Sequence, residues 1–248
     1  MPYLQASPAD LQRAFRISDE DLPDAAVIVG VLSTRDYGDY LAGIWPTARQ
    51  LVERLWLVEA DGQRVWYIAT FGGAMAATYA HLAVRLGARA VFQFGVMGGL
   101  QDGWEVGDVL VPDVIIGRDG VSRQLSRNRP IAPERSLTAA LTRALSANGR
   151  EVRTGTLVTT TTISFERTTD ISRWRRAGYA GVEMEAAATL AVAAHFGVPA
   201  TSAFVLMDNL AVDHTVFAVT DADRLRIRVA REAMERSVPI VLASSIGS

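Results

Sequence analysis

The chain has 248 residues, 49% of them hydrophobic and 21% charged, with a net charge of −2 at neutral pH. That length buries a large core and fits a single α/β domain over 25–248 behind a polar lead-in over 1–24. The near-balanced charge offers no basic stripe for nucleic acid or an anionic membrane, and with no cysteine there is no disulfide, thiolate nucleophile or cysteine-held metal.

There is no run of about 18 apolar residues of the kind that crosses a bilayer, and the first residues, MPYLQASPADLQRAF, lack the basic-then-apolar order of a secretory signal. A cytoplasmic protein with a small-molecule partner is expected. His81, His195 and His214 are the only histidines, and no two stand at metal-ligand spacing, so no metal site is expected.

In chain order, Ser7 can cap a short peripheral helix over 8–15. Residues 25–32, AAVIVGVL, read as a first buried strand, which aims Arg35 at the crevice beyond its carboxyl end. Residues 55–60 and 64–70 flank Asp61-Gly62 and read as a hairpin. Gly72-Gly73 opens a helix with Met75, Tyr79, Leu82 and Leu86 at helical spacing, stopped by Gly87. A strand over 90–94 runs into the glycine-rich loop Gly95-Val-Met-Gly-Gly-Leu-Gln. A strand region over 106–116 is followed by a long arginine-rich loop over 117–133. A helix over 137–147, a strand over 153–162, and a loop with a short helix over 164–176 come next. The last helix covers 221–237. Strands alternating with helices predict a three-layer α/β/α sandwich around a mixed, mostly parallel sheet.

The most informative stretch is 181–209, GVEMEAAATLAVAAHFGVPATSAFVLMDN. It reads as a helix over 183–196, closed by Gly197 and Pro199, then a strand over 201–207 with Asp208 just beyond its carboxyl end. Open α/β sheets keep their ligand chemistry at that end. Glu183 and Glu185 could merely complement the helix dipole, but an apolar helix gives them no solvent face on which to be idle. Asp208 is either a functional acid or a loop cap beside Asn209.

Three segments, V182-E-M-E-A-A-A, L206-M-D-N and G95-V-M-G-G-L-Q with V106-G-D-V-L-V-P, resemble the purine nucleoside and uridine phosphorylase family, which also contains 5′-methylthioadenosine nucleosidase-like hydrolases. The resemblance implies the sandwich fold and a homo-oligomer, from dimer to hexamer. It implies that Glu183, Met184 and Glu185 hold the ribose, that Asp208 gives a proton to N7 of a purine-like base, and that Phe165 or Ile163 stacks on that base. Glu185 and Asp208 are then the catalytic pair. No cofactor is implied beyond phosphate as co-substrate.

The nucleophile side departs from the family pattern. Arg35 stands where the loop arginine of phosphorylases belongs and Arg49 is a candidate second arginine. Gln93 and Val96 replace the arginine and hydroxyl residue of the third phosphate segment. Hydrolytic members also lack an arginine at Gln93, yet carry a glutamate where Arg35 stands. The resemblance thus implies phosphorolysis, with hydrolysis by water or a nucleoside-binding protein without turnover as alternatives.

Overall fold

The computed structural model describes residues 6–245 apart from 32, 148 and 213, with the side chains of Arg35, Phe165 and Ser245 outside the described part. Among the described residues, eleven strands form one mixed sheet whose main path runs β2-β3-β4-β1-β5-β10-β9-β7. These strands are β1 (Ala25–Gly30), β2 (Arg49–Val52), β3 (Leu55–Ala60), β4 (Gln63–Thr70), β5 (Val91–Gly99), β6 (Val109–Leu110), β7 (Val114–Gly117), β8 (Val152–Arg153), β9 (Thr156–Thr159), β10 (Gly181–Glu183) and β11 (Ala200–Asn209). The helices are α1 (Pro8–Phe15), α2 (Arg35–Ile44), α3 (Gly73–Arg85), α4 (Gly120–Ser126), α5 (Arg135–Ser146), α6 (Thr168–Arg176), α7 (Ala186–His195) and α8 (Asp221–Ser245).

Period-two alternation in the central strands divides the core into two layers. Ala26 and Ile28 of β1 pack with α3 and α7, whereas Val27 and Val29 pack with Tyr37 and Leu41 of α2, Leu141 of α5 and Met234 of α8. The result is the three-layer α/β/α sandwich. Ser7 caps α1 as expected, and Asp10 completes a capping box, but the lead-in is not peripheral, because Leu11 and Ile17 are buried in the first layer.

Several boundaries differ from the sequence reading, each for a packing reason. The Gly95–Gly99 segment is strand, not loop: β5 continues through it, pairing with β11 along one edge. Leu206 of β11 lies so close that a Cβ on Gly99 would sit 2.5 Å from its Cδ1. The arginine-rich segment is not one loop, since Asp119 caps α4 by accepting from the Ser122 N–H at 2.8 Å. Residues 35–44, with two glycines and no capping side-chain bond, form α2 because Tyr37 and Leu41 are buried beneath it. The last helix extends through Pro239 to Ser245.

The sheet also creates the crevice. The last β1 pair with β5 is Val29 with Phe94, and β5 runs on past it. Antiparallel β10 then takes the vacated edge, pairing Val182 with Gly98. The chain leaving β10 therefore runs back toward the carboxyl end of β1. Changes of strand direction of this kind open ligand crevices in α/β sheets.

Candidate active site

Glu183 and Glu185 are brought together in this crevice from different elements. Glu183 ends β10 and does not lie on the helix, which starts at Ala186. Both of its carboxylate oxygens are engaged. Oε1 accepts from the Thr159 hydroxyl, and Oε2 accepts from the N–H groups of Glu185 at 2.7 Å and Ala186 at 2.8 Å. Thr159 in turn accepts from the Ala187 N–H at 3.0 Å. The orphan donors at the start of α7 are thus satisfied by a buried carboxylate and a threonine.

Glu185 reaches the end of β1. Its Oε1 accepts from the Gly72 N–H at 2.6 Å, and its Oε2 is where a Cβ on Gly30 would lie only 2.7 Å away. Gly72 has φ +83, in the left-handed region that glycine tolerates. Both glycines thus serve the carboxylate. Glu185 is 4% exposed. Burial raises both carboxyl groups above the ordinary range, and at Glu183 the neighbouring Glu185 charge adds to it, against the donors that favour ionisation. Met184 between them is half-buried.

Asp208 lies inside β11, not beyond it. Leu206 pairs with Met97 and Asp208 with Gly98, so Met207 is an extra residue. This bulge moves Asp208 to the register position beside Gly98 that Met207 would otherwise occupy. Its Oδ1 would be 3.5 Å from a Cβ on Gly98. The side chain is 8% exposed, and burial pushes its carboxyl up to about 6, opposed by His214 and a bond from the Val216 N–H. Asn209 is structural. Its amide donates to the Gln101 and Trp104 carbonyls at 3.1 Å each.

One further acid, absent from the sequence reading, feels the charge of Asp208. Burial, then the charges of Asp208 and Asp170, push the Glu166 carboxyl up to about 7. Its Oε1 is buried without a partner, and it lines a cavity of about 530 Å³ with Arg118, Arg123, Thr160, Asp170 and Trp174. Its position directly after Phe165 was the only available signal. Thr159 gave none, because it stands in a run of four threonines.

The remaining candidates are scattered. Ile163 is exposed in a short 3-10 turn that includes Phe165. Val96 is half-buried on β5. Gln93 is fully buried two residues below Gly95, where it accepts from the Thr189 hydroxyl at 2.6 Å and donates to the Phe94 carbonyl at 3.1 Å. Arg49 lies on the edge strand β2 and is paired with Asp21. Ladder partners Leu57 and Trp66 put it level with Ala26, away from the carboxyl end of β1. The Arg35 backbone opens α2. Among the described residues no cluster of three or more histidines or acids could hold a metal ion, and no helix is long and apolar enough to cross a membrane.

Residues 39–243 match the profile of the phosphorylase superfamily. The chain belongs to this superfamily. The match covers both clusters of acids, at 183–185 and at 208, whereas Arg35 and its loop precede it. Among curated relatives, the guanosine phosphorylase of Halorubrum lacusprofundi is 28% identical over 159 residues, covering 64% of this chain. That alignment spans 65% of the relative's length, just under two thirds. Among solved structures, purine nucleoside phosphorylase from Toxoplasma gondii in complex with immucillin-H superposes with a TM-score of 0.80. The two are 20% identical, and the alignment covers 93% of this chain and 94% of that one. The superfamily fold is therefore present over nearly its whole length.

Proposed function

We propose that this protein is a purine nucleoside phosphorylase. The observation that carries the reading is Asp208, a buried acid with its carboxyl raised to about 6, paired with Gly98 of β5, whose partner on the other edge, Val182, leads into the buried Glu183 and Glu185. Breaking the C1′–N9 bond sends its electron pair into the base and leaves positive charge on the ribose. Glu185 would accept from the ribose hydroxyls and stabilise that charge, a charge-assisted contact of roughly 1.5–3 kcal/mol. Asp208 would give its proton to N7, so that the base leaves neutral. A phosphate oxygen would then bond to C1′, yielding ribose 1-phosphate, with Arg35 and the start of α2 on the phosphate side. Glu183 would hold Glu185 and α7 in register, with Met184 against the sugar and Phe165 or Ile163 against the base.

Support comes from superfamily membership, and from the guanosine phosphorylase relative for a 6-oxopurine base. Hydrolysis is the second reading, favoured by one observation: the Gln93 amide is turned inward to Thr189 and Phe94, so it offers nothing to an anion. Base release from guanosine, inosine and adenosine, followed with and without phosphate, separates the two. Phosphorolysis is expected to require phosphate and to yield ribose 1-phosphate; free ribose accumulating without phosphate would establish hydrolysis.

Glu166 bears on the choice of base. In its ionised form, which prevails above about pH 7, the Glu166 carboxylate only accepts, which suits the N1–H and 2-amino donors of guanine, whereas a glutamine amide both donates and accepts and suits adenine. Glu166→Gln is expected to lower the guanosine-to-adenosine ratio of kcat/KM by about 10-fold or more, from a contact of about 1–3 kcal/mol. An unchanged ratio in paired assays would remove Glu166 from base recognition. The protein would act as a cytoplasmic homo-oligomer. Phe217 is 96% exposed, and Leu225 and Val229, four residues apart on α8, are also exposed; large apolar side chains left to solvent support self-association.

A further inference from the structure

Away from the crevice, a buried polar cluster joins α8 to α2 and β4. Pro239 inside α8 has no N–H, so the carbonyl of Glu235, four residues earlier, has no helical partner. The Tyr67 hydroxyl of β4 donates to that carbonyl at 3.2 Å. The Glu235 side chain is 1% exposed, and its Oε1 accepts from the Tyr37 hydroxyl, in the first turn of α2, at 3.4 Å. Tyr37 stands edge-on to Trp56 with ring centroids 5.4 Å apart. The Arg231 guanidinium lies 5.0 Å from the Tyr40 ring centroid and 6.0 Å from that of Tyr37. Three groups here are buried without partners: Glu235 Oε2, Arg231 Nη2 and the Tyr40 hydroxyl.

An acid so enclosed is costly unless its position does something, and the element that it holds is the one beginning at Arg35. We propose that Glu235 is a positioning residue for the nucleophile side of the crevice: through Tyr37 it fixes the amino-terminal turn of α2, and with it the Arg35 backbone. This inference rests on the reading that places phosphate at the start of α2. Tyr67 anchors the backbone of Glu235 to the sheet while its side chain holds the neighbouring helix, so one residue couples three elements.

The groups facing Glu235 are Tyr37 and Tyr40 of α2, Tyr67 of β4 and Arg231 of its own helix. Burial pushes its carboxyl up to about 7, opposed by Arg231 and the Tyr37 hydroxyl. Because the folded value lies above the ordinary 4.5, the stability it contributes at low pH is lost as pH rises through about 7. The buried charge then loosens the contact between α8 and α2.

Glu235→Gln keeps an acceptor for Tyr37 and removes the charge, and Tyr37→Phe removes the donor. With Glu235→Gln, the fall in Tm between pH 6 and pH 8 is expected to shrink by roughly 4 °C, an effect of a size that single buried groups produce. Amide exchange of residues 36–44, corrected for intrinsic rates, is expected to lose its rise over the same interval. With Tyr37→Phe, KM for phosphate is expected to rise about 3–10-fold with kcat and the nucleoside KM within twofold. Unchanged exchange and melting in Glu235→Gln, or equal effects of Tyr37→Phe on both substrates, would overturn the proposal. A wild-type protein that cleaves nucleosides without phosphate would refute phosphorolysis, while exchange and melting would still decide the role of Glu235.

Discussion

Asp208→Asn is expected to lower kcat on purine nucleosides by about 10²–10⁴-fold, the usual contribution of a positioned general acid, with nucleoside KM changed much less. The side chain keeps its shape and loses its proton. The pH dependence follows from the same residue. A general acid works in its protonated form, and the Asp208 carboxyl lies at about 6, so under the proposed role wild-type kcat/KM is expected to fall tenfold per pH unit above that value. In Asp208→Asn the residual rate should show no such slope. The stability sign runs the other way from the activity. A folded value raised above the ordinary 3.8 gives stability at low pH that is lost as pH rises through about 6. At pH 8 the asparagine variant should therefore be the more stable protein, by about 1–3 kcal/mol. Thermal melts at pH 5 and pH 8 alongside steady-state kinetics test both. A variant that retains full kcat would rule Asp208 out as the acid.

Glu183→Ala is expected to be the most destabilising change among the crevice acids. It strands the Thr159 hydroxyl and the N–H groups of Glu185 and Ala186, all of them buried. Each unsatisfied donor costs about 1–3 kcal/mol, offset in part by removal of a poorly solvated carboxylate. A net loss of roughly 3 kcal/mol corresponds to a fall of about 6–12 °C in Tm for a chain of this size. Glu185→Ala removes backbone contacts from Gly72 and Met184 but leaves the start of α7 bonded to Glu183 and Thr159, and should melt closer to the wild-type temperature than Glu183→Ala while losing most of its activity. The comparison separates a carboxylate that supports α7 from one free to take the proposed sugar role. Comparable melting of the two variants would show that Glu183 is not the anchor of α7.

The sandwich architecture was legible in the sequence because buried strands and capped helices write strong local patterns. The hairpin turn is an example: Asp61 and Gly62 adopt φ +50 and +75, as Asp-Gly between two strands leads one to expect. Residues 35–44 were silent for the converse reason. Their helix is held by burial of Tyr37 and Leu41 against other elements, a tertiary effect without a local signal. The Gly95–Gly99 segment misled because glycines ordinarily signal a turn; here Gly95 faces Phe204, Gly98 faces Leu210 and Gly99 faces Leu206, on a strand paired along both edges.

For the crevice, the sequence by itself placed Glu183, Glu185 and Asp208 on consecutive elements of a single stretch, whereas Glu166, outside that stretch, is brought beside Asp208 only by the fold. The tertiary structure alone decided what each carboxylate does with its oxygens. The antiparallel turn of β10 onto the free edge of β5 gives Glu183 to the start of α7 and sends Glu185 to Gly30 and Gly72, and the bulge at Met207 re-aims Asp208. Hydrogen-bond partners 24 and 113 residues apart leave no trace in local spacing, because they are set by strand order and register and not by the period of helix or strand.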